Sequence, residues 1–107
     1  MTTRLPEFGR FAEPALLILV SLGAGPRHGY AIMQDTEALT GRPLGPGTLY
    51  AALDRLEERG LIEALPATDR RRPYRLTGLG ASVLEAELEG LTAFAALGLR
   101  RLQGEAG

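Results

Sequence analysis

The chain has no cysteine, no lysine and no tryptophan, and it has a single histidine. Without cysteine, disulfides, thiolate zinc sites and cysteine nucleophiles are all excluded. One histidine leaves little scope for metal binding or acid–base catalysis, and no phosphate-binding glycine loop accompanies it. We therefore expect no enzymatic activity and no cofactor. The lack of disulfides favours the reducing cytoplasm as the location.

Long hydrophobic runs are also missing. The most apolar stretch, residues 15–22, is far shorter than the ~20 residues that span a bilayer. It follows Arg4 and Arg10, as in a secretory signal, but Glu7 and Glu13 interrupt the region that would have to be positive. We expect a buried first helix after an N-terminal arm (residues 1–12), and no membrane partner.

The net charge of −1 over 107 residues excludes a bulk polycation that would coat nucleic acid. A length of 107 residues predicts one domain, and 45% hydrophobic residues are enough for a core. Because every basic residue is arginine, each cationic side chain carries a planar fork suited to phosphate and guanine. Binding to nucleic acid would need a local arginine patch.

Three helices are predicted before residue 61. The first starts at Glu13-Pro14 and is stopped by the segment 23–26. The second runs from about His28 to Leu39 and ends at Thr40-Gly41. Its predicted inward side chains are Ile32, Met33 and Leu39, and its predicted outward ones are Asp35 and Glu37. The third starts at Gly45-Pro46 and ends at Gly60, with a buried face of Leu49, Leu53 and Leu56.

The pattern then alternates at residues 61–65 and 74–77, which predicts two strands joined by a loop longer than the two-residue optimum. Thr77 is a predicted N-cap for a last helix that reaches about Gln103. The predicted fold is mainly α with a small two-stranded β wing. A winged helix-turn-helix DNA-binding domain (1–77) precedes a long C-terminal dimerisation helix (78–107) of the same compact unit.

In a helix-turn-helix, the first turns of the recognition helix enter the major groove of DNA. The candidate residues at that position are Pro46, Gly47, Thr48, Tyr50 and Ala51. The small residues permit close approach, and Thr48 and Tyr50 offer hydroxyl groups to phosphate or base. Tyr50 lies one position off the buried stripe, so we expect it to point outward, the alternative being that it fills the edge of the core.

Positive charge is concentrated on the predicted wing, at Arg70, Arg71, Arg72 and Arg75. These residues would follow phosphates or enter the adjacent minor groove. An arginine run on a loop is otherwise simply a solvated segment. His28 is a further candidate, either as a helix cap or as a phosphate contact, although a lone histidine is often only structural.

The last helix has a heptad-like apolar seam, which predicts a homodimer interface. The seam consists of Leu84, Leu88, Leu91, Ala95, Gly98 and Leu102, and Phe94 widens it. Gly90 and Gly98 each cost about 1 kcal/mol against Ala inside a helix, so this helix needs a packing partner. The alternative is that it folds back on its own winged helix.

Three segments resemble the PadR family of bacterial transcriptional regulators: HGYAIMQ at 28–34, PGTLYAALDRLEERGLI at 46–62 and RRPYRLTGLG at 71–80. The resemblance covers residues 14–82. It implies a homodimeric, ligand-responsive repressor of the short type that binds an operator in double-stranded DNA. It also implies DNA contacts by Thr48, Tyr50, Tyr30 and Arg72 or Arg75, although Tyr30 is equally suited to the core.

The chain departs from the family pattern at two points. Gly45 stands where a Ser-like cap is common, which weakens the cap by a few tenths of a kcal/mol. Only one C-terminal helix follows the wing, as in the short subgroup of the family, which leaves no room for a large separate effector domain. The chain also has no tryptophan for the Trp-lined effector pocket of some short relatives, and Phe94 could supply an aromatic wall instead. A second hypothesis is a winged helix that binds proteins or small molecules without affinity for DNA.

Overall fold

The computed structural model describes residues 13–104, so the predicted N-terminal arm lies outside the described residues. In this part of the chain four helices and three short strands follow one another. They are α1 (Pro14–Gly23), β1 (Arg27–His28), α2 (Gly29–Thr40), α3 (Pro46–Glu58), β2 (Ile62–Ala64), β3 (Pro73–Leu76) and α4 (Gly78–Leu102). The four predicted helices are confirmed within a residue or two at their ends.

The sheet has three strands, where the sequence predicts two. The additional strand β1 pairs antiparallel with β3, with Arg27 opposite Tyr74 and His28 opposite Pro73. The strand order is therefore β1-β3-β2. A two-residue strand has no alternating pattern of its own, and its pairing with a segment 46 residues away depends on the tertiary structure. This strand joins the base of the wing to the start of α2.

The core lies between α1, α2, α3 and the sheet. The predicted face of α3 is confirmed, since Leu49, Leu53 and Leu56 are buried. On α2 the prediction is wrong for Leu39, which is 52% exposed, whereas Thr36 is fully buried. The Thr36 hydroxyl donates a hydrogen bond to the carbonyl of Met33 at 3.1 Å, which satisfies its polar group inside the core. Leu39 is in the last turn of α2, which no other part of the described residues covers.

The junction between α3 and the sheet is a Schellman motif centred on Gly60. Gly60 has φ +74° and its N–H donates to the carbonyl of Glu57, while the N–H of Leu61 donates to that of Leu56. The Thr77 hydroxyl accepts from the N–H of Gly80 at 2.9 Å, so its predicted role as N-cap of α4 is confirmed. The Schellman motif at Gly60 and the Thr77 cap lie next to each other, where the end of α3 meets the start of α4.

The wing is a tighter hairpin than the sequence predicts. Thr68 and Arg71 exchange two backbone hydrogen bonds of 2.8 Å, so only Asp69 and Arg70 form the turn. Both have positive φ, +50° and +64°, as a type I′ turn requires. The connection between β2 and β3 is longer than two residues, as predicted, but an isolated bridge between Thr68 and Arg71 closes its tip into a two-residue turn.

The helix α4 extends well past the core. It has 25 residues, about 37 Å of helix, and its buried residues Gly80 and Leu84 both lie in its first two turns. Its C-terminal half therefore contributes a long exposed surface. No helix in the described range is both long and apolar enough to cross a membrane. Nor do three histidine or acidic side chains cluster there as metal ligands would.

Candidate nucleic-acid interface

A concave surface lies between the start of α2, the first turns of α3 and the wing. Six predicted DNA-contact residues from distant parts of the sequence line it together: His28, Tyr30, Tyr50, Arg70, Arg71 and Arg72. Its full lining is His28, Gly29, Tyr30, Tyr50, Arg70, Arg71, Arg72 and Tyr74. All three tyrosines and the only histidine of the chain thus meet beside three arginines. We call this surface the basic–aromatic cleft.

The ring of Tyr50 packs against the backbone of Gly29 in the cleft. Tyr50 is 48% exposed, as expected for an outward residue, yet its ring lies directly on the backbone of Gly29. A Cβ atom at Gly29 would be 2.5 Å from the Tyr50 hydroxyl oxygen and 3.0 Å from Cζ. Only glycine leaves room for the ring at this point, so the residue after His28 sets the position of the recognition-helix tyrosine.

Tyr30 is 57% exposed, which excludes the alternative that it belongs to the core. It stands on the first turn of α2, at the edge of the cleft. Gly29 rather than Tyr30 is buried at this end of the helix. Tyr30 therefore adds a hydroxyl group and an aromatic face to the edge of the basic–aromatic cleft.

His28 joins the start of α2 to the wing. Its Nδ1 accepts from the N–H of Ala31 at 3.4 Å, which confirms its predicted role as a cap. Its Nε2 lies 3.3 Å from the Nη1 of Arg71. A neutral imidazole has one acceptor nitrogen, so each tautomer satisfies one of these two donors. In one tautomer the ring caps α2, and in the other it accepts from Arg71 at the cleft.

The four wing arginines are not equivalent. The Nε of Arg75 donates to a carboxylate oxygen of Glu63 at 2.7 Å, across β2 and β3. Arg70 and Arg72 are exposed, and neither has a carboxylate partner in the described part of the chain. The positive charge available to an incoming anion is therefore that of residues 70–72, and Arg75 stands apart from the cleft.

The start of α3 presents small exposed residues and free backbone donors. Pro46, Gly47, Thr48 and Ala51 are all exposed. Gly45 provides no side-chain cap, and the first hydrogen bond into the helix is from the N–H of Leu49 to the Gly45 carbonyl. Among the described residues, the N–H groups of Gly47 and Thr48 thus have no acceptor. Free N–H groups at a helix start favour an anion.

Tyr74 lines the cleft but is absent from the residues that the sequence predicts for it. It lies on β3 and is 92% buried, and its pKa is raised, mainly by burial and then by the nearby charge of Glu57. It lies in the predicted strand 74–77, for which no inward side chain is predicted. The sequence carries no signal that the same ring would form the floor of the cleft.

The predicted dimer seam on α4 is divided by the fold. Leu84 is 8% exposed and packs in the core of its own chain, because it faces α1 across Gly23. As a free interface residue, Leu84 is therefore a wrong prediction. Leu91 is half-buried, whereas the remaining seam residues are exposed. These are Leu88 (41%), Phe94 (63%), Leu102 (87%), Ala95 and Gly98.

This chain is similar to known proteins both in sequence and in fold. A curated protein of Streptomyces fradiae, an uncharacterised 37.1 kDa product of transposon TN4556, is 43% identical over 82 residues, 77% of this chain and 24% of its own. The transcriptional activator GvpE2 of Halobacterium salinarum is 32% identical over 73 residues, 68% of this chain and 37% of its own. This chain thus spans about a quarter to a third of these curated relatives.

Among solved structures, a PadR family transcription regulator from Clostridium difficile superposes with a TM-score of 0.72 at 26% identity. The match covers 83% of this chain and 97% of that one. The sequence model of the transcriptional regulator PadR-like family matches residues 18–86, which include the helix-turn-helix, the wing and the start of α4. The chain therefore belongs to the PadR-like family of transcriptional regulators.

Proposed function

We propose that this chain is a sequence-specific DNA-binding transcriptional regulator that acts as a homodimeric, ligand-responsive repressor. The observation that carries the proposal is the basic–aromatic cleft beside the exposed start of α3. Arginines without a carboxylate partner and tyrosine hydroxyl groups line the cleft, and two free backbone N–H groups lie at the start of the helix that carries Tyr50. Each of these is a group that binds phosphate, and together they are arranged around a helix start with small residues.

The recognition helix enters the major groove in this proposal. Gly47 and Ala51 allow the backbone to approach the base edges, and the Ala51 methyl meets a thymine methyl. Thr48 reads a base edge or a phosphate with its hydroxyl, and Tyr50, held by Gly29, reaches a phosphate. Pro46 opens the helix without adding a donor of its own.

The wing and the start of α2 hold the DNA backbone. Arg70, Arg71 and Arg72 contact phosphates or the adjacent minor groove, and His28 and Tyr30 contact the phosphate nearest to α2. Arg75 contributes least, because its charge is balanced by Glu63 at 2.7 Å. Affinity from these contacts is electrostatic and falls steeply with salt.

Regulation follows from the two-fold symmetry of a dimer formed through α4. Two recognition helices then read two half-sites at a fixed spacing. Repression requires only that the dimer occupies DNA needed by the transcription machinery. A small molecule that binds between the subunits, with the exposed Phe94 as an aromatic wall, changes the spacing and lowers the affinity. In vitro transcription distinguishes repression from activation, and activation would contradict the proposal.

The test is fluorescence anisotropy of the whole chain with DNA from upstream of its own gene and with a scrambled duplex, at about 150 mM salt. We expect the upstream DNA to bind at least ~10³-fold more tightly. Arg72→Ala should weaken binding to both duplexes, whereas Thr48→Ala should also reduce the ratio between them. Arg59→Ala, at the far end of α3, is the matched control and should leave both affinities unchanged.

Equal, weak binding to both duplexes, unaffected by salt and by Arg72→Ala, would contradict the proposal. It would instead favour the alternative of a winged-helix module that binds a protein or a small molecule. If the chain binds specifically but Thr48→Ala lowers its affinity for both duplexes by the same factor, only the proposed role of Thr48 is contradicted.

A further inference from the structure

Two hydrogen-bond donors approach the ring of His28, one at each nitrogen. The N–H of Ala31 lies 3.4 Å from Nδ1, and Nη1 of Arg71 lies 3.3 Å from Nε2. A neutral imidazole has one acceptor nitrogen, because the other nitrogen carries the proton. The two donors therefore compete for a single acceptor, and the donor that loses faces an N–H group.

The competition is between the cap of α2 and a cation of the wing. Ala31 is in the first turn of α2, where a backbone N–H has no carbonyl four residues earlier in the helix. Arg71 forms no ion pair in the described part of the chain, and the ring is the side chain that it contacts there. Because a hydrogen bond from a charged donor is the stronger kind, Arg71 favours the tautomer with its proton on Nδ1. That tautomer leaves α2 without its cap.

A phosphate oxygen bound at Arg71 removes this conflict. The anion accepts from the guanidinium more strongly than a neutral ring nitrogen does, so Nε2 loses its donor. The ring then releases the proton on Nδ1 to water and takes one from water on Nε2, and its net charge is unchanged. In the new tautomer Nε2–H donates to the phosphate, while Nδ1 accepts from Ala31.

We infer that His28 is a tautomeric switch, in which a phosphate bound to Arg71 moves the ring proton from Nδ1 to Nε2 and so completes the cap of α2. The inference rests on the proposed function, because the phosphate is one of the DNA backbone. The capped turn contains Gly29, against which the ring of Tyr50 packs. A phosphate contact at the wing thus stabilises the turn that supports the tyrosine of the recognition helix.

The first test uses the whole chain without DNA. His28 is the only histidine, so nitrogen-15 NMR gives one pair of ring signals, whose positions distinguish the two tautomers and the protonated ring. At about pH 8.5, where imidazole is ordinarily neutral, Arg71→Ala should raise the ratio of the Nε2–H to the Nδ1–H tautomer roughly fivefold, because the competing donor is removed. Arg72→Ala is the matched control. It removes the neighbouring arginine, which makes no hydrogen bond to the ring, and should leave the ratio unchanged.

The second test adds a random-sequence duplex at low salt, since phosphate contacts do not depend on sequence. The ratio of tautomers should rise as it does in Arg71→Ala, and hydrogen exchange at the Ala31 amide should slow severalfold. His28→Asn keeps a strong capping side chain but has no second ring nitrogen. Its Ala31 amide should therefore exchange at the same rate with and without the duplex. Inorganic phosphate at equal ionic strength should change the natural chain less than the duplex does, because only the duplex is held by further contacts.

The outcomes separate this inference from the proposed function. If Arg71→Ala leaves the ratio of tautomers unchanged, the competition at the ring is overturned whether or not the chain binds DNA. A bound duplex that leaves the ratio unchanged, or that protonates both ring nitrogens, would overturn the switch and leave the proposed function intact. A full change with inorganic phosphate would overturn DNA as the source of the anion. A duplex that does not bind would overturn the proposed function together with the role of its phosphate.

Discussion

The α-carbon of Gly80 packs against the main-chain carbonyl of Leu61. A Cβ atom at residue 80 would overlap the carbonyl oxygen and crowd the carbonyl carbon of Leu61, 2.8 Å away. The same oxygen accepts the N–H of Thr77 at 3.1 Å, and the Thr77 hydroxyl donates to the Gly60 carbonyl at 2.6 Å. The start of α4 is thus joined to the segment after α3 by one side-chain hydrogen bond and by contacts between backbone groups, which have no rotamer freedom.

Gly80→Ala should therefore lower the free energy of unfolding by about 1–3 kcal/mol, as expected for overpacking that side-chain rotation cannot relieve. Urea denaturation followed by circular dichroism measures the change. Gly78→Ala is the control on the same turn, because nothing lies within 4 Å of a Cβ there. Equal stability of the two variants would contradict the packing argument.

Gly29→Ala should disturb the recognition helix without unfolding the chain. The added methyl group meets the far end of the Tyr50 side chain, which is exposed and free to swing away. We expect the affinity for operator DNA to fall by about tenfold, with a change of under ~1 kcal/mol in the free energy of unfolding. Anisotropy and urea denaturation measure the two quantities.

A double-mutant cycle isolates the contact between Gly29 and Tyr50. In a Tyr50→Phe background the hydroxyl that is closest to the added methyl is gone, so Gly29→Ala should cost less affinity than in the natural chain. Identical losses in both backgrounds would show that the alanine acts through something other than this tyrosine.

Asp69→Asn should raise the affinity for DNA. Asp69 is the acidic residue of the wing-tip turn, and its carboxylate opposes the approach of phosphates to Arg70. Asparagine tolerates the same positive φ, so the turn is retained. We expect an increase of a few-fold at low salt that diminishes as salt rises. Glu87→Gln on α4 removes the same charge far from the wing and should have no effect in the anisotropy assay.

The raised pKa of Tyr74 predicts that the free energy of unfolding falls at alkaline pH. Its pKa is raised in the folded chain, first by burial and then by Glu57, so the folded state holds the phenol proton more tightly than the unfolded state does. The resulting stabilisation is present in full below the unfolded pKa, near 10, and is lost as pH rises through the folded value. Urea denaturation between about pH 8 and pH 11 should show this decline.

Tyr74→Phe is the control for the alkaline decline, because phenylalanine keeps the ring in the core and removes the titrating group. Its stability should fall less between the same pH values. A parallel decline in both proteins would assign the effect to other groups.

The correct predictions from sequence share one property, which is that their cause is local. Caps and glycines at helix ends, such as Thr77 and Gly60, act within three or four residues of themselves. The buried face of α3 repeats at helical spacing, so the spacing alone identifies its side chains without knowledge of the residues they pack against. Leu39 lies outside this rule, because the burial of a last turn depends on what else covers it.

In the candidate site too, local patterns predict some residues, whereas the contacts between distant residues depend on the tertiary structure. Thr48 and Tyr50 were predicted from their place at the start of a helix, and Arg70, Arg71 and Arg72 from their run on a loop. Nothing local indicates that Gly29 supports Tyr50, that His28 reaches Arg71, or that Arg75 is balanced by Glu63. These pairs are 21, 43 and 12 residues apart, and only chain packing brings them together.

The sequence by itself determined the helices, the Thr77 cap, the buried face of α3 and the family, because each depends on short-range periodicity or on contiguous motifs. The tertiary structure alone decided the third strand, the two-residue wing tip and the basic–aromatic cleft. It also decided that Leu84 belongs to the core of its own chain, whereas Leu88, Phe94 and Leu102 of the predicted seam stay exposed. The physical reason is that hydrogen bonding between strands and burial between helices are properties of segments far apart in the chain.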